Sequence, residues 1–343
     1  MQYHPPSADD DSAPFLPGVA PTVTPRPVPN WVTKAKTTQA RREAVAARRR
    51  KRFAAPNDPH QHASKIAENV MEAWYSHHGG SRMDIPLGTV AALTFFREPL
   101  IADWLLTLEP AQIPGLLKEV WGVQWFFRPD LIEQARPLHR WVEEDPDEHQ
   151  LRAVQAVIHA AVNTGLLDIT ADNDPYMRSR TDVISPLLTG LRHKSDKKWR
   201  GEYHTPASVA DLMARILVPD DAKPGSSFRE PCIGSGSMFR SVAQHLREHN
   251  LDPADYLWFG NDIDRLSTAC AAVNAILWNL GPQVAIWCAN TFSNSEEDGV
   301  TKALAERAAV IKHRNDVVDQ AVFEHKTRRM INALDRLLEG AAA

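Results

Sequence analysis

The chain has little cysteine, no apolar leader and no surplus of positive charge. Three cysteines in 343 residues, Cys232, Cys270 and Cys288, are too few for a disulfide framework, and their spacing suits no zinc site. That usage predicts a reducing, cytoplasmic setting. No run approaches the ~20 apolar residues of a membrane span, and the Pro-rich first residues carry no signal core. The expectation is a soluble, unsecreted protein with no membrane partner. A formal charge of −4 excludes a global pull on nucleic acid, so any attraction must come from a local patch.

What is present divides unevenly. Residues 1–30 are dense in proline (Pro5, Pro6, Pro14, Pro17, Pro21, Pro25, Pro27, Pro29) without an apolar period, and are expected to be disordered. A basic arm follows, from Lys34 through Arg48, Arg49, Arg50, Lys51 and Arg52, with Glu43 its only acid. Such an arm can bind phosphates without reading sequence, or serve as a solvated linker. Leader and arm together make up residues 1–60. Residues 61–180 read as an all-α domain, with Ile66, Val70, Met71 and Trp74 at helical spacing and a stop at Gly79-Gly80. Further helices are expected around Leu87–Phe96, Leu100–Leu108, Ile113–Phe127, Leu131–Val142 and Glu148–Thr164. The tryptophans Trp74, Trp104, Trp121, Trp125 and Trp141 are assigned to its core. The pairs His60/His62 and His77/His78 lack a completing carboxylate or cysteine at ligand spacing, which leaves surface or capping roles and no metal.

A basic connector from His193 to Arg200 precedes a change of pattern over residues 181–295. Strands at Ser226–Arg229, Tyr256–Phe259 and Val284–Cys288 alternate with helices at Ser237–Glu248 and Arg265–Leu280, the signature of a parallel sheet covered by helices. Residues 296–343 form an amphipathic helical tail, with Val300, Leu304, Ile311, Val318 and Val322 on one face, suited to pack on the sheet or on a partner.

The chemistry concentrates in Glu230-Pro231-Cys232-Ile233-Gly234-Ser235-Gly236. A strand ends, a proline sets the turn, and two glycines let a ligand approach the backbone before a helix begins. Helix N-terminal N–H groups there suit an anionic ligand group. The next strand ends in Gly260-Asn261-Asp262-Ile263-Asp264, placing a carboxylate where ribose hydroxyls can donate to it. A dinucleotide fingerprint needs a third glycine where Phe239 stands, and a phosphate loop needs Lys-Ser or Lys-Thr where Ser237-Met238 stands. NAD and ATP by those routes are excluded.

These runs, EPCIGSGSMF, GEYHTPASVADLM upstream, and GNDID and CANTF downstream, occur in order and resemble the motifs of DNA adenine-N6 methyltransferases, especially the modification subunits of type I restriction–modification systems. The resemblance covers about residues 182–292. It implies an α/β fold, a Rossmann-like S-adenosylmethionine-dependent methyltransferase domain with an incomplete parallel sheet, preceded by the all-α domain. It implies S-adenosyl-L-methionine as cofactor, with Thr205 and Pro206 bordering its carboxylate, Glu230 near its ammonium, Gly234 and Gly236 admitting the backbone, Asp262 on the ribose, Ile263 against the adenine ring and Asn290 on the adenine edge. His204 departs from the family's usual aromatic residue.

The family's acceptor element, Asn/Asp/Ser-Pro-Pro-aromatic, is not found: no proline follows Asn290. No catalytic residue is therefore identified. Two readings stay open: an adenine-specific DNA methyltransferase whose acceptor site is divergent or supplied by a partner, or a cofactor- and DNA-binding regulatory subunit. DNA and a specificity or complementary methyltransferase subunit are the partners this resemblance implies.

Overall fold

The computed structural model describes residues 1–4, 55–78, 80, 82–192, 205–291 and 296–341, with backbone alone for 296–298 and 333–341. The basic arm from Arg48 to Arg52, the connector, His204 and Phe292 lie outside the described residues.

Between residues 55 and 192 the described elements are all helical. Helix α1, Pro59–His77, begins where Asp58 accepts a hydrogen bond from the His60 backbone N–H at 3.0 Å, with proline in the first turn. Helices α2 (Asp84–Leu93), α3 (Ile101–Leu105), α4 (Ile113–Phe127), α5 (Pro129–Gln134), α6 (Arg136–His139), α7 (Glu148–Asn163), α8 (Leu166–Thr170), α9 (Pro175–Arg178) and α10 (Ile184–Leu191) follow. Val154, Ile158 and Ala161 of α7 recur at helical spacing and share one buried cluster with Ile66, Val70 and Trp74 of α1, against which α7 packs. Helix α2 is buried at every position from Ile85 to Leu93, because other helices surround it. It approaches α6 so closely that a Cβ on Gly88 would lie 1.6 Å from the Leu138 carbonyl oxygen.

Trp74, Trp121 and Trp141 enter the core as expected, whereas Trp104 is exposed. His62 also departs from its expected surface role. It is buried, with Nε2 2.7 Å from the Thr164 carbonyl, while His78 stacks on Trp74.

The second part comprises α11 (Ala207–Leu217), β2 (Ser227–Glu230), α12 (Ser237–Glu248), β3 (Leu257–Asp262), α13 (Arg265–Leu277), β4 (Val284–Cys288) and the 46-residue α14 (Glu296–Ala341). Strands β2, β3 and β4 are parallel neighbours, with Phe228 opposite Trp258 and Phe259 opposite Ala285. A fourth strand, β1 (Gln2–His4), pairs antiparallel with β2. This corrects the expectation of disorder for those residues. The three-residue alternation is too short to read in a sequence, and its anchorage is long-range: Tyr3 packs on Phe228 and shares a 2.9 Å hydrogen bond with Ser226.

One buried cluster runs from Ala63 to Ile286 and joins the helices to the sheet, with α13 packed against α5, α6 and α10 on one side and β3 and β4 on the other. The pleat separates the two faces of the sheet. Trp258, Val284 and Ile286 face this core, while Leu257, Phe259 and Ala285 form a second cluster under Trp287, Val300 and Leu304. The first half of α14 thus covers the sheet. Of its predicted apolar face, Ile311 is buried and Val300 and Leu304 are half-buried, but Val322 is exposed, as are Phe323 and Met330.

The helix is locked by Asp130. Arg128 donates to both its carboxylate oxygens at 3.0 Å and Arg307 of α14 donates to one at 3.0 Å, while Arg307 also reaches the Val284 and Pro282 carbonyls. Burial by itself would push the Asp130 carboxyl up, but the Arg128 and Arg307 guanidinium groups outweigh it and hold the carboxyl below its ordinary value. Removing one partner of a buried pair strands the other charges. Asp130→Ala is therefore expected to cost about 3–5 kcal/mol in urea unfolding at pH 7. A depressed folded value means that the stabilisation is complete above about pH 4 and lost as pH falls through the folded value. The gap between wild type and variant should shrink at about pH 3, whereas an equal gap at both pH values would show that ionic pairing is not its source.

Candidate functional site

The parallel strands end together, and the residues singled out in the sequence gather at that edge. Strand β2 finishes at Glu230, the loop turns through Pro231–Gly236, and α12 starts at Ser237. Gly234 and Gly236 have φ of 55° and 95°, in the left-handed region where a side chain is strained. A Cβ on Gly236 would press on Trp278 at 3.3 Å, whereas one on Gly234 would enter open space. The backbone at Gly234 is therefore approachable.

The loop is stitched to β3. The Ile233 N–H donates to the Asn261 carbonyl at 2.8 Å, and the Gly234 N–H donates to Asp262 Oδ2 at 2.8 Å. The Gly236 N–H donates back to the Ile233 carbonyl. Three N–H groups expected to face a ligand are thus used within the protein. Asp262 Oδ1 accepts from the Asp264 N–H at 2.9 Å, so this carboxylate holds the loop before it meets any ligand. Each of its oxygens retains a second lone pair for a hydroxyl donor.

Asn261, buried at the end of β3, ties three strand ends together. Its Nδ2 donates to Thr291 Oγ1 at 2.7 Å, its Oδ1 accepts from the Ala289 N–H at 3.1 Å, and Thr291 donates in turn to the Pro231 carbonyl at 2.9 Å. Glu230, Pro231, Asn261, Asn290 and Thr291 consequently line one cleft together with Arg229, Phe259 and Trp287, whereas Gly234, Gly236, Asp262 and Ile263 are not part of its lining. Ile263 stands beside Asp262 with 71% of its surface exposed. Thr205 and Pro206 are exposed just ahead of α11, and no hydrogen bond among the described residues joins them to the loop.

Burial pushes the Glu230 carboxyl up, and the Asp262 charge adds to this, while the Met1 α-ammonium pulls the other way from 3.4 Å. The thiols of Cys232 and Cys288 are also raised, chiefly by burial, so neither is poised as a thiolate nucleophile.

Several residues that build this site received no role from the sequence. Asp182, in the turn before α10, is buried; its Oδ1 accepts from the Ile184 and Ser185 N–H groups and from Asn274 Nδ2, and its Oδ2 accepts from the Ser235 and Ser237 hydroxyls. Asn274 also donates to the Ser235 carbonyl at 2.9 Å. Arg192 pairs with Asp264, the N-cap of α13. An aspartate two residues before a helix is a readable cap signal, but its second set of partners lies 53 and 55 residues downstream.

Residues 187–318 match the family described as N-6 DNA Methylase. A type I restriction enzyme MjaIX methylase subunit from Methanocaldococcus jannaschii is 29% identical over 94 residues, which span 27% of this chain and 16% of that relative's length. A crystal structure of a type I restriction–modification methyltransferase subunit from Streptococcus thermophilus aligns with 69% of this chain and 60% of its own, at a TM-score of 0.40 and 14% identity. Residues 187–318, which hold the glycine loop and all three described parallel strands, are thus similar to the N-6 DNA methylase family and to a methylase subunit of a type I system, of whose length the chain spans about a sixth.

Proposed function

We propose that the sheet edge binds S-adenosyl-L-methionine, in a Rossmann-like methyltransferase domain spanning residues 181–295 behind an all-α domain of residues 61–180, and that the chain takes part in methylating adenine amino groups in DNA. The observation that carries this reading is the convergence of Glu230, the glycine loop, Asp262 and Asn290 at the ends of three adjacent parallel strands. Their chemistry fits the ligand. Glu230 already meets an α-ammonium, that of Met1, and the methionine end of the cofactor would present the same group in its place. Asp262 has lone pairs for ribose hydroxyls, Ile263 offers an apolar platform, Asn290 an amide for the adenine edge, and Gly234 a backbone without a side chain. Thr205 and Pro206 would border the carboxylate.

When bound, the cofactor supplies an electrophilic methyl group. The role of this chain is to hold that group's carrier in one orientation, which is where a transfer reaction gains most from a protein that positions its reactants. The acceptor side is different. Residues 291–343 contain no Pro-Pro-aromatic run, and after β4 the described chain is a single helix that covers the sheet. The acceptor site is assigned to a divergent motif or to a partner polypeptide, and the DNA phosphates to the basic arm with Arg48, Arg49, Arg50, Lys51 and Arg52. The same observation favours, as a second reading, a subunit that binds cofactor and DNA without transferring methyl groups.

Calorimetry with S-adenosylmethionine should show one site, weakened about tenfold or more by Asp262→Ala, a loss of about 1.4 kcal/mol or more. Because Asp262 also holds Gly234, Asn290→Ala is the companion variant, expected to weaken binding without changing the unfolding midpoint; unchanged affinity in both would reject the pocket. Tritiated methyl transfer to unmethylated DNA, with and without the product of a neighbouring gene, tests the enzyme reading. Incorporation in at least one of the two conditions is expected, and none in either leaves the binding subunit. Deleting residues 34–52 should flatten the dependence of log affinity for DNA on log salt. An unaltered slope would make the arm a linker.

A further inference from the structure

At the opposite end of α12 from the glycine loop, three side chains bring ligand atoms together. His245 lies in the last turn of α12 and His249 caps it, four residues on and hence on the same face. Asp220, from the loop between α11 and β2, reaches across to both. Its Oδ1 is 3.2 Å from His249 Nε2 and 3.5 Å from His245 Nε2. One ligand atom from each residue lies within 4.8 Å of the other two. Metal–ligand arms of about 2.1 Å meeting at a tetrahedral angle hold their ligand atoms about 3.4 Å apart. The two measured edges sit on either side of that value.

The hydrogen bonds around the cluster call for a cation. His249 Nδ1 is 2.9 Å from the His245 carbonyl, an oxygen that can only accept, so Nδ1 carries the proton and donates. In the neutral ring Nε2 is then a lone pair, aimed at a carboxylate oxygen. His245 Nε2 faces that oxygen and also the Val218 carbonyl at 3.1 Å. In the tautomer with the proton on Nδ1, which has no hydrogen-bond partner here, His245 Nε2 likewise presents a lone pair to these oxygens. The His249 ring is oriented as metal-ligating histidines are, with the second nitrogen donating to a backbone carbonyl.

We propose that Asp220, His245 and His249 form a binding site for one divalent transition-metal ion of the zinc type, with the Val218 carbonyl beside His245 as a further oxygen donor. Two imidazoles select such ions over magnesium and calcium, which take oxygen ligands. The bound ion staples the loop after α11 to the end of α12. A helix of 12 residues is about 18 Å long, so the ion acts on the stability of this corner rather than on the cofactor loop. The sequence pairs His60/His62 and His77/His78 draw attention by their closeness, but His62 and His78 are engaged in the helical core. The spacing His-x-x-x-His at 245 and 249 is the readable signal.

The test uses the purified full chain after dialysis against a chelator, titrated with Co²⁺ and then with Zn²⁺. Expected is one equivalent of Co²⁺ with the visible absorption of a low-symmetry, nitrogen-ligated site, bleached by Zn²⁺, and a rise in unfolding temperature when Zn²⁺ is present. Asp220→Asn and His249→Gln should each weaken Zn²⁺ uptake at least tenfold. Both side chains are solvent-accessible, so the far-ultraviolet circular dichroism of the metal-free variants should match wild type. Absence of uptake by wild type would overturn the site in favour of a protonated histidine–aspartate pair. Uptake unchanged in the double variant would overturn it in favour of other histidines.

Discussion

The buried carboxylate of Asp182 is the point on which the arrangement depends. It accepts hydrogen bonds from two backbone N–H groups at the start of α10, from Asn274 of α13, and from the hydroxyls of Ser235 and Ser237 in and after the glycine loop. A charge taken out of water is tolerated only when its lone pairs are used. Satisfying this one joins the helical layer, the helix beneath the sheet and the loop in a single network. Through it the conformation of the loop is coupled to the packing of helices far away in sequence.

Other buried charges follow the same logic. Arg240 is almost wholly inaccessible, pairs with Asp211 of α11 and donates to the Ser179 and Arg180 carbonyls. Arg178 donates to the Leu277 carbonyl at the end of α13. Asp130 gathers Arg128 and Arg307. Each ties a loop or helix end to an element distant in sequence, where the last carbonyls of a helix lack partners of their own. Among the described residues the sheet has three parallel strands, and these arginines and aspartates fix it against the helical layer.

The strand, glycine loop and helix around Glu230–Ser237 were legible because local physics sets them: an apolar run, a proline turn and glycines with positive φ. The helix Ser237–Glu248 and the strand Val284–Cys288 have the boundaries their patterns predict. The accessibility of the loop was not legible. Its Ile233, Gly234 and Gly236 N–H groups look available in sequence, yet Asn261, Asp262 and a turn consume them. The strand at Gln2–His4 was hidden for a related reason, since its pairing with β2 is more than 220 residues distant.

The sequence by itself determined the order of elements and the residue types at the edge of the sheet, because each rests on neighbours in the chain. Tertiary structure decided which of those residues are already engaged, that Met1 meets Glu230, that the first half of α14 covers the sheet while its later apolar residues stay exposed, and that Asp220 joins His245 and His249. Most of these contacts join residues distant in the chain. No local pattern encodes them, since they form only when packing brings together side chains whose unpaired hydrogen-bonding groups or charges complete one another.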